Sequence, residues 1–274
     1  MQTTLLLQQP CNRNLERSVP PPTLVNESSK TIDARKLVAD NMDASIDDFN
    51  SHARKLQADK PWTPLISSDE RALKPIVGLS AAVKRLEDFV FGSIALILLF
   101  PLMVVISVLI KLDSTGPALF CQARNGRNGE IIKVYKFRTM FQNNAASEFK
   151  QAERGDPRIT RIGCFLRKTS LDELPQLFNV IQGSMSMVGP RPHPLKLDED
   201  FQYVIPSLHS RYSVKPGITG WAQINGFRGE TRRISDMIGR IEHDRYYIEH
   251  WSPFLDIKIL ILTVLRGWTH KNAY

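Results

Sequence analysis

Residues Phe89–Ile110, FVFGSIALILLFPLMVVISVLI, form an uncharged apolar run of the length that a bilayer-spanning helix requires. About sixteen Leu, Ile, Val and Phe side chains give it an insertion free energy of roughly −5 to −10 kcal/mol. Pro101, near its middle, removes one helix hydrogen bond and costs roughly 3 kcal/mol in a helix interior. Membrane partition outweighs the proline, so the run is expected to form a membrane helix that bends at Phe100–Pro101. Lys84 and Arg85 precede it, and Lys111, Arg124, Arg127, Lys133, Lys136 and Arg138 follow. A spanning helix normally keeps its basic flank on one side of the bilayer. Two basic flanks and a central proline fit a helix that enters and leaves through one face; a kinked single span is the alternative.

Hydrophobic residues make up 42% of the 274, which excludes a polytopic membrane protein and leaves room for one core domain with appendages. The net charge of +8 suits phosphorylated substrates, acidic lipid headgroups or nucleic acid. Nucleic acid is set aside, because the basic residues are not interleaved with aromatic stacking platforms. Cys11, Cys121 and Cys164 are odd in number and lack a metal-ligand spacing, which fits a reducing compartment. The first residues, MQTTLLLQQPCNRN, lack the basic opening and long apolar run of a signal peptide. Residues 1–78 read as a flexible polar extension in which Asp33–Leu56 offers a helical pattern.

Arg85 and Asp88, three apart at the entrance to the membrane helix, either pair with each other or anchor at the headgroups. Beyond it, the turn-rich segment up to Glu130 and the alternating Glu130–Met140 predict a hairpin and its return strand, with a helix over Gln142–Ala152. Within Gly155–Met187, the cationic Arg158, Arg161, Arg167 and Lys168 approach the acidic pair Asp172–Glu173, which opens an apolar-periodic helix. With Asp172 as N-cap, Pro175 falls in the first turn, where its missing N–H costs little. With Ser170 as cap, Glu173 would complete a capping box but Pro175 would sit too deep. The first arrangement is preferred. Three prolines stiffen VGPRPHP around Arg191, Pro216-Gly217 reads as a type II turn, and Arg232–Trp251 reads as a helix. Phe254–Trp268 is too short to span, and is expected either at the interface or in the core.

An Asp-Glu pair among arginines suits phosphoryl transfer, since a carboxylate can attack phosphorus and hold a covalent intermediate. The diphosphate charge calls for Arg side chains and a divalent cation, and magnesium needs only one or two carboxylates besides substrate oxygens. An acidic dipeptide at a helix start also serves as plain capping. His243 and His250 are about 10.5 Å apart along one helix, too far to share a metal.

Taken in order, Lys84-Arg85-x-x-Asp88, YKFRTM (135–140), DPRITRIG (156–163), SLDELPQLFNV (170–180), MSMVGPRP (185–192) and KPGITGWAQINGFRGET (215–231) resemble the bacterial sugar transferase family of monotopic phosphoglycosyl transferases. The resemblance implies an α/β, mainly α, compact monotopic membrane-associated catalytic domain with a proline-broken re-entrant helix and interfacial amphipathic helices. It divides the chain into the extension at 1–78, the re-entrant helix at 79–114 and a cytoplasmic-face transferase domain at 115–274. The implied reaction moves a hexose 1-phosphate, glucose or galactose, from a UDP-sugar to undecaprenyl phosphate at the inner membrane, releasing UMP. It opens exopolysaccharide or capsule synthesis, alongside other polysaccharide-assembly enzymes. Asp172 would be the nucleophile, with Glu173 supporting Mg2+ or the proton balance and both as metal ligands. Arg138, Arg158, Arg167 and Arg191 would hold substrate phosphates, and Asp244 matches an acidic position that would touch substrate. Phe100 and Pro101 would form the helix break. The rival class is a non-catalytic, membrane-anchored scaffold, which has no need of Asp172.

Overall fold

The computed structural model describes residues 73, 76–141, 156–201, 205–229 and 233–266. Nearly all of the 1–78 extension, with its Asp33–Leu56 pattern, the Gln142–Ala152 helix and Trp268 lie outside the described residues.

Helix α1, Gly78–Asp113, is 36 residues long, with 17% of its most apolar window buried. At 1.5 Å per residue it measures about 54 Å, well beyond a hydrocarbon core of about 30 Å. Helical backbone continues through Pro101, and Phe100 beside it is exposed. Polar anchors hold both ends. At the first, the buried Asp88 carboxylate accepts from Ser186 Oγ (2.8 Å), Met187 N (2.9 Å) and Lys84 Nζ (3.2 Å). Lys84 also donates to Asp256 at 2.6 Å. Arg85 does not pair with Asp88: it donates to the carbonyls of Val180 and Ile181 at 2.6 and 2.7 Å, satisfying the open end of another helix. At the second end, Asp113 accepts from Ile162 N at 3.1 Å.

Strands β1 (Leu119–Asn125) and β2 (Ile131–Phe137) make the expected hairpin, antiparallel with Leu119 opposite Phe137. Its 3₁₀ turn, Arg127–Gly129, places Asn128 at φ 57°, a left-handed position that asparagine tolerates. Helix α2 (Arg161–Thr169) is capped by Thr160, whose side chain accepts from Gly163 N at 2.9 Å. It ends at Ser170, also left-handed at φ 57°. A 3₁₀ turn over Leu171–Glu173 then leads into α3, Gln176–Gln182. Neither capping scheme therefore forms: Pro175 is the N-cap of α3, and no side chain closes that end. The Glu173 side chain is turned toward Lys136 and Arg191 instead, where charged hydrogen bonds outweigh a neutral cap.

Strand β3 (Ser186–Val188) pairs in parallel with β4 (Gly217–Thr219). Between them run α4 (Leu195–Phe201) and the 3₁₀ segment Pro206–Ser213. Gly217 is a strand residue with no positive φ, so Pro216-Gly217 is not a type II turn. Glycine is required there for a different reason: an added Cβ would lie 2.1 Å from Gly189 N. After α5 (Trp221–Ile224) come α6 (Ile234–Glu249), matching the helix read from the sequence, and α7 (Pro253–Arg266). The architecture is mainly helical, with two small sheets among the described residues.

The second half of α1 enters the core through Met103, Ile106 and Ile110, which pack on Phe137 and Leu166. A second cluster joins Val188, Tyr247, Ile248 and Ile259, with Leu73 and Ile76 against it. Helix α7 reaches the core with one face and leaves apolar side chains exposed on the other. Ile259 and Asp256 are buried, while Phe254, Val264 and Leu265 are bare apolar side chains on the surface.

Candidate active site

Asp172 and Glu173 are neighbours in a single 3₁₀ turn, yet their surroundings differ sharply. Glu173 Oε1 accepts from Lys136 Nζ at 2.9 Å and Arg191 Nη2 at 2.5 Å, and Oε2 accepts from Arg191 Nη1 at 2.8 Å. Burial opposes its charge, but Arg191 and then Lys136 hold its carboxyl well below the usual range. Asp172 makes no hydrogen bond or ion pair with the described residues and stays partly exposed. Burial, and then the charge of Glu173, push its carboxyl above the ordinary range, with Lys136, Arg191 and Arg167 pulling the other way.

Each cation arrives from a different element. Lys136 comes from β2, whose buried Phe137 forces its neighbour to the opposite face. Arg167 comes from the last turn of α2, and Arg191 from the stiff loop after β3. Arg228, in the loop after α5, donates to Ser170 Oγ at 2.5 Å, two residues from Asp172. Burial, then Arg191, lower the Arg228 pKa, while Glu173 and Asp172 raise it. A cleft lined in part by Asn125, Arg191, His193, Arg211 and Tyr212 opens beside the Arg191 loop.

Of the residues singled out from the sequence, Asp172, Glu173, Arg167 and Arg191 come together. Arg138 is turned elsewhere: it is buried and donates to Ser114 O (2.6 Å) and Ser114 Oγ (2.9 Å) at the end of α1. Arg158 forks onto Asp156, with Nε to Oδ1 at 2.9 Å and Nη2 to Oδ2 at 2.6 Å. Asp244 is buried in α6 and accepts from Arg211 Nη2 at 2.9 Å. Lys136 and Arg228 were missed. Strand alternation could have pointed to Lys136, whereas Arg228 reaches the dyad only through tertiary folding.

Divalent magnesium asks for one or two carboxylate oxygens. Asp172 offers free oxygens, so it fits. Glu173 does not, because Arg191 and Lys136 already occupy both of its oxygens and would repel a further cation.

A sequence profile of the family described as bacterial sugar transferase matches residues 79–270. The UDP-glucose:undecaprenyl-phosphate glucose-1-phosphate transferase of Escherichia coli (strain K12) is 48% identical over 200 residues, 73% of this chain and 43% of that protein. The chain thus spans less than half the length of that relative. The exopolysaccharide production protein PSS of Rhizobium leguminosarum bv. phaseoli is 42% identical over 200 residues, 72% of this chain and 100% of that protein. The UDP-N-acetylgalactosamine-undecaprenyl-phosphate N-acetylgalactosaminephosphotransferase of Aeromonas hydrophila is 43% identical over 191 residues, 69% of this chain and 45% of that protein.

Proposed function

The chain belongs to the bacterial sugar transferase family, and from that membership we propose that it moves a hexose 1-phosphate from a UDP-sugar to undecaprenyl phosphate, releasing UMP. The name of the Escherichia coli relative favours glucose over galactose as the hexose, and that of the Rhizobium relative favours exopolysaccharide as the product into which it is built. The observation that carries the chemistry is the contrast within the dyad: one carboxylate saturated by cations, its neighbour unpaired and partly open.

Asp172 Oδ attacks the sugar-bearing phosphorus of the donor. A new P–O bond forms to the carboxylate, the bond to the bridging oxygen breaks, and that oxygen leaves on UMP. An oxygen of undecaprenyl phosphate then attacks the same phosphorus and returns Asp172 to its free form. Arg191, Arg167 and Arg228 spread the charge of the diphosphate, while Glu173 keeps Arg191 and Lys136 in place for it. Asp172, together with substrate oxygens, would hold Mg2+, which would neutralise part of the same charge.

Both substrates meet on one face of the inner membrane, taken as the cytoplasmic one. The two ends of α1 are tied to the same compact body, through Asp88 and Lys84 at one and Asp113 at the other. A straight span would carry those ends to opposite sides of the bilayer, so the anchors support re-entry through one face. The apolar side of α7 rests on the same lipid surface.

The test is to incubate the protein with UDP-glucose alone and digest it for mass spectrometry. A phosphohexose adduct on the peptide holding Asp172, with UMP release lost in Asp172→Asn, is expected. Equal UMP release by Asp172→Asn overturns the covalent mechanism.

A further inference from the structure

Two loops bring arginines to the dyad, one carrying Arg191 and the other Arg228, and both hang from one buried polar knot. Arg240, on α6, donates to Gly229 O at 2.7 Å and to His193 Nε2 at 3.2 Å. Arg211 donates to Arg191 O at 2.6 Å and to Asp244 Oδ2 at 2.9 Å, and its Nη1 lies against the edge of the His193 ring, in contact with both Nδ1 and Nε2. His193 Nδ1 lies 3.0 Å from Asp198 Oδ1, and Asp198 Oδ2 accepts from Asn125 Nδ2 at 2.8 Å. In the tautomer that gives its Nδ1–H to Asp198, the ring leaves Nε2 as the acceptor for Arg240. Arg240 is 6% exposed, and His193, Asp198, Arg211 and Asp244 are less so.

Charge separates this knot from the binding site itself. Two guanidinium groups face two carboxylates, Asp198 and Asp244, around a neutral imidazole. No positive charge is left over for a phosphate. The role open to Arg240 is mechanical: it ties the Arg191 loop, through His193, to the Arg228 loop, through the Gly229 carbonyl.

We propose that Arg240 is a positioning residue that sets the distance between Arg191 and Arg228, so that the two guanidinium groups meet the two phosphates of a nucleoside diphosphate sugar as a pre-set pair. The identity of that ligand rests on the transferase reading above; the linkage between the loops does not. Such preorganisation lowers the ordering cost of binding.

The full chain in phospholipid nanodiscs, with UDP-glucose as donor, supplies the test. Arg240→Lys keeps the charge but loses the fork that reaches two acceptors. Its KM for UDP-glucose is expected to rise about tenfold, with kcat changed by less than about threefold. In an Arg228→Ala background the same change should add nothing, because the arm that it positions is gone. An equal rise in both backgrounds overturns the proposal. Should Arg240→Lys fail to fold, His193→Val is expected to raise KM and His193→Gln, with an acceptor restored, to bring it back; equal values for the two overturn the idea.

Hydrogen exchange reads the linkage without any activity. Peptides over Ile224–Gly229 should exchange faster in Arg240→Lys while those of β1 and β2 stay unchanged. Unchanged exchange over Ile224–Gly229 overturns the linkage. Absence of UMP release by the wild type would instead remove the transferase reading and leave the exchange result decisive.

Discussion

Arg191 grips both oxygens of Glu173, at 2.5 and 2.8 Å, and so fixes the loop after β3 to the turn that carries Asp172. A planar fork meeting a carboxylate edge-on is a geometry that lysine cannot copy. Arg191→Lys is therefore expected to lower kcat/KM by at least about a hundredfold, about 2.7 kcal/mol of transition-state stabilisation. Steady-state UMP release checks it; a loss below about threefold would show the fork to be dispensable.

Asp172 should trade stability for function. Burial, and then Glu173, raise its folded pKa above the unfolded value, so the ionised form carries a penalty. That penalty is present at neutral pH and disappears as pH falls through the raised pKa, while the nucleophile is lost over the same interval. Asp172→Asn is expected to abolish UMP release and to raise Tm by roughly 2–4 °C near neutral pH. The gain should vanish once the wild-type carboxyl is protonated. Thermal melts across the acid range read this directly, and a lower Tm for Asp172→Asn at neutral pH would contradict it.

His193 works in the opposite sense. Burial first, and then Arg211, push its imidazole down to about 3. The unfolded chain takes up that proton near pH 6.5. Stability from the neutral ring is thus complete above about 6.5 and drains as pH falls toward the folded value, at up to about 1.4 kcal/mol per pH unit. His193→Gln should flatten this part of the stability profile, as measured by denaturant unfolding at several pH values.

Gly163→Ala should be among the most damaging changes outside the site. An added Cβ would lie 2.1 Å from the carbonyl oxygen of Thr139, which is backbone and cannot swing aside. A loss of about 3 kcal/mol or more is expected, seen as a lower denaturation midpoint. A midpoint unchanged from wild type would mean that α2 can shift off the segment after β2.

For topology, Cys11, Cys121 and Cys164 are replaced by serine and single cysteines placed by Ser80→Cys and Thr115→Cys, both at exposed positions. An impermeant thiol reagent should reach both from one side of sealed vesicles and neither from the other. Labelling from opposite sides would make α1 a conventional span.

The apolar run, the hairpin and helix α6 were legible because each is written in a local period or an unbroken composition. The acidic pair was visible for its residue types, but the unequal fates of Asp172 and Glu173 were not. Those fates depend on Lys136 and Arg191, which lie 37 and 18 residues from Glu173 along the chain. The pairing of β3 with β4 was hidden for the same reason, and Gly217 looked like a turn because its partner Gly189 lies far away in sequence. Arg138 and Asp244 were read as facing substrate, but which way a charged side chain points is set by packing that no local pattern encodes.

The tethering of α1 at both termini has a consequence for how the helix can move. A helix sewn at one end can swing away from its domain like a hinged arm. Here α1 cannot detach without rupturing the seam at Asp88 or the one at Asp113, so helix and domain are expected to travel as one rigid piece.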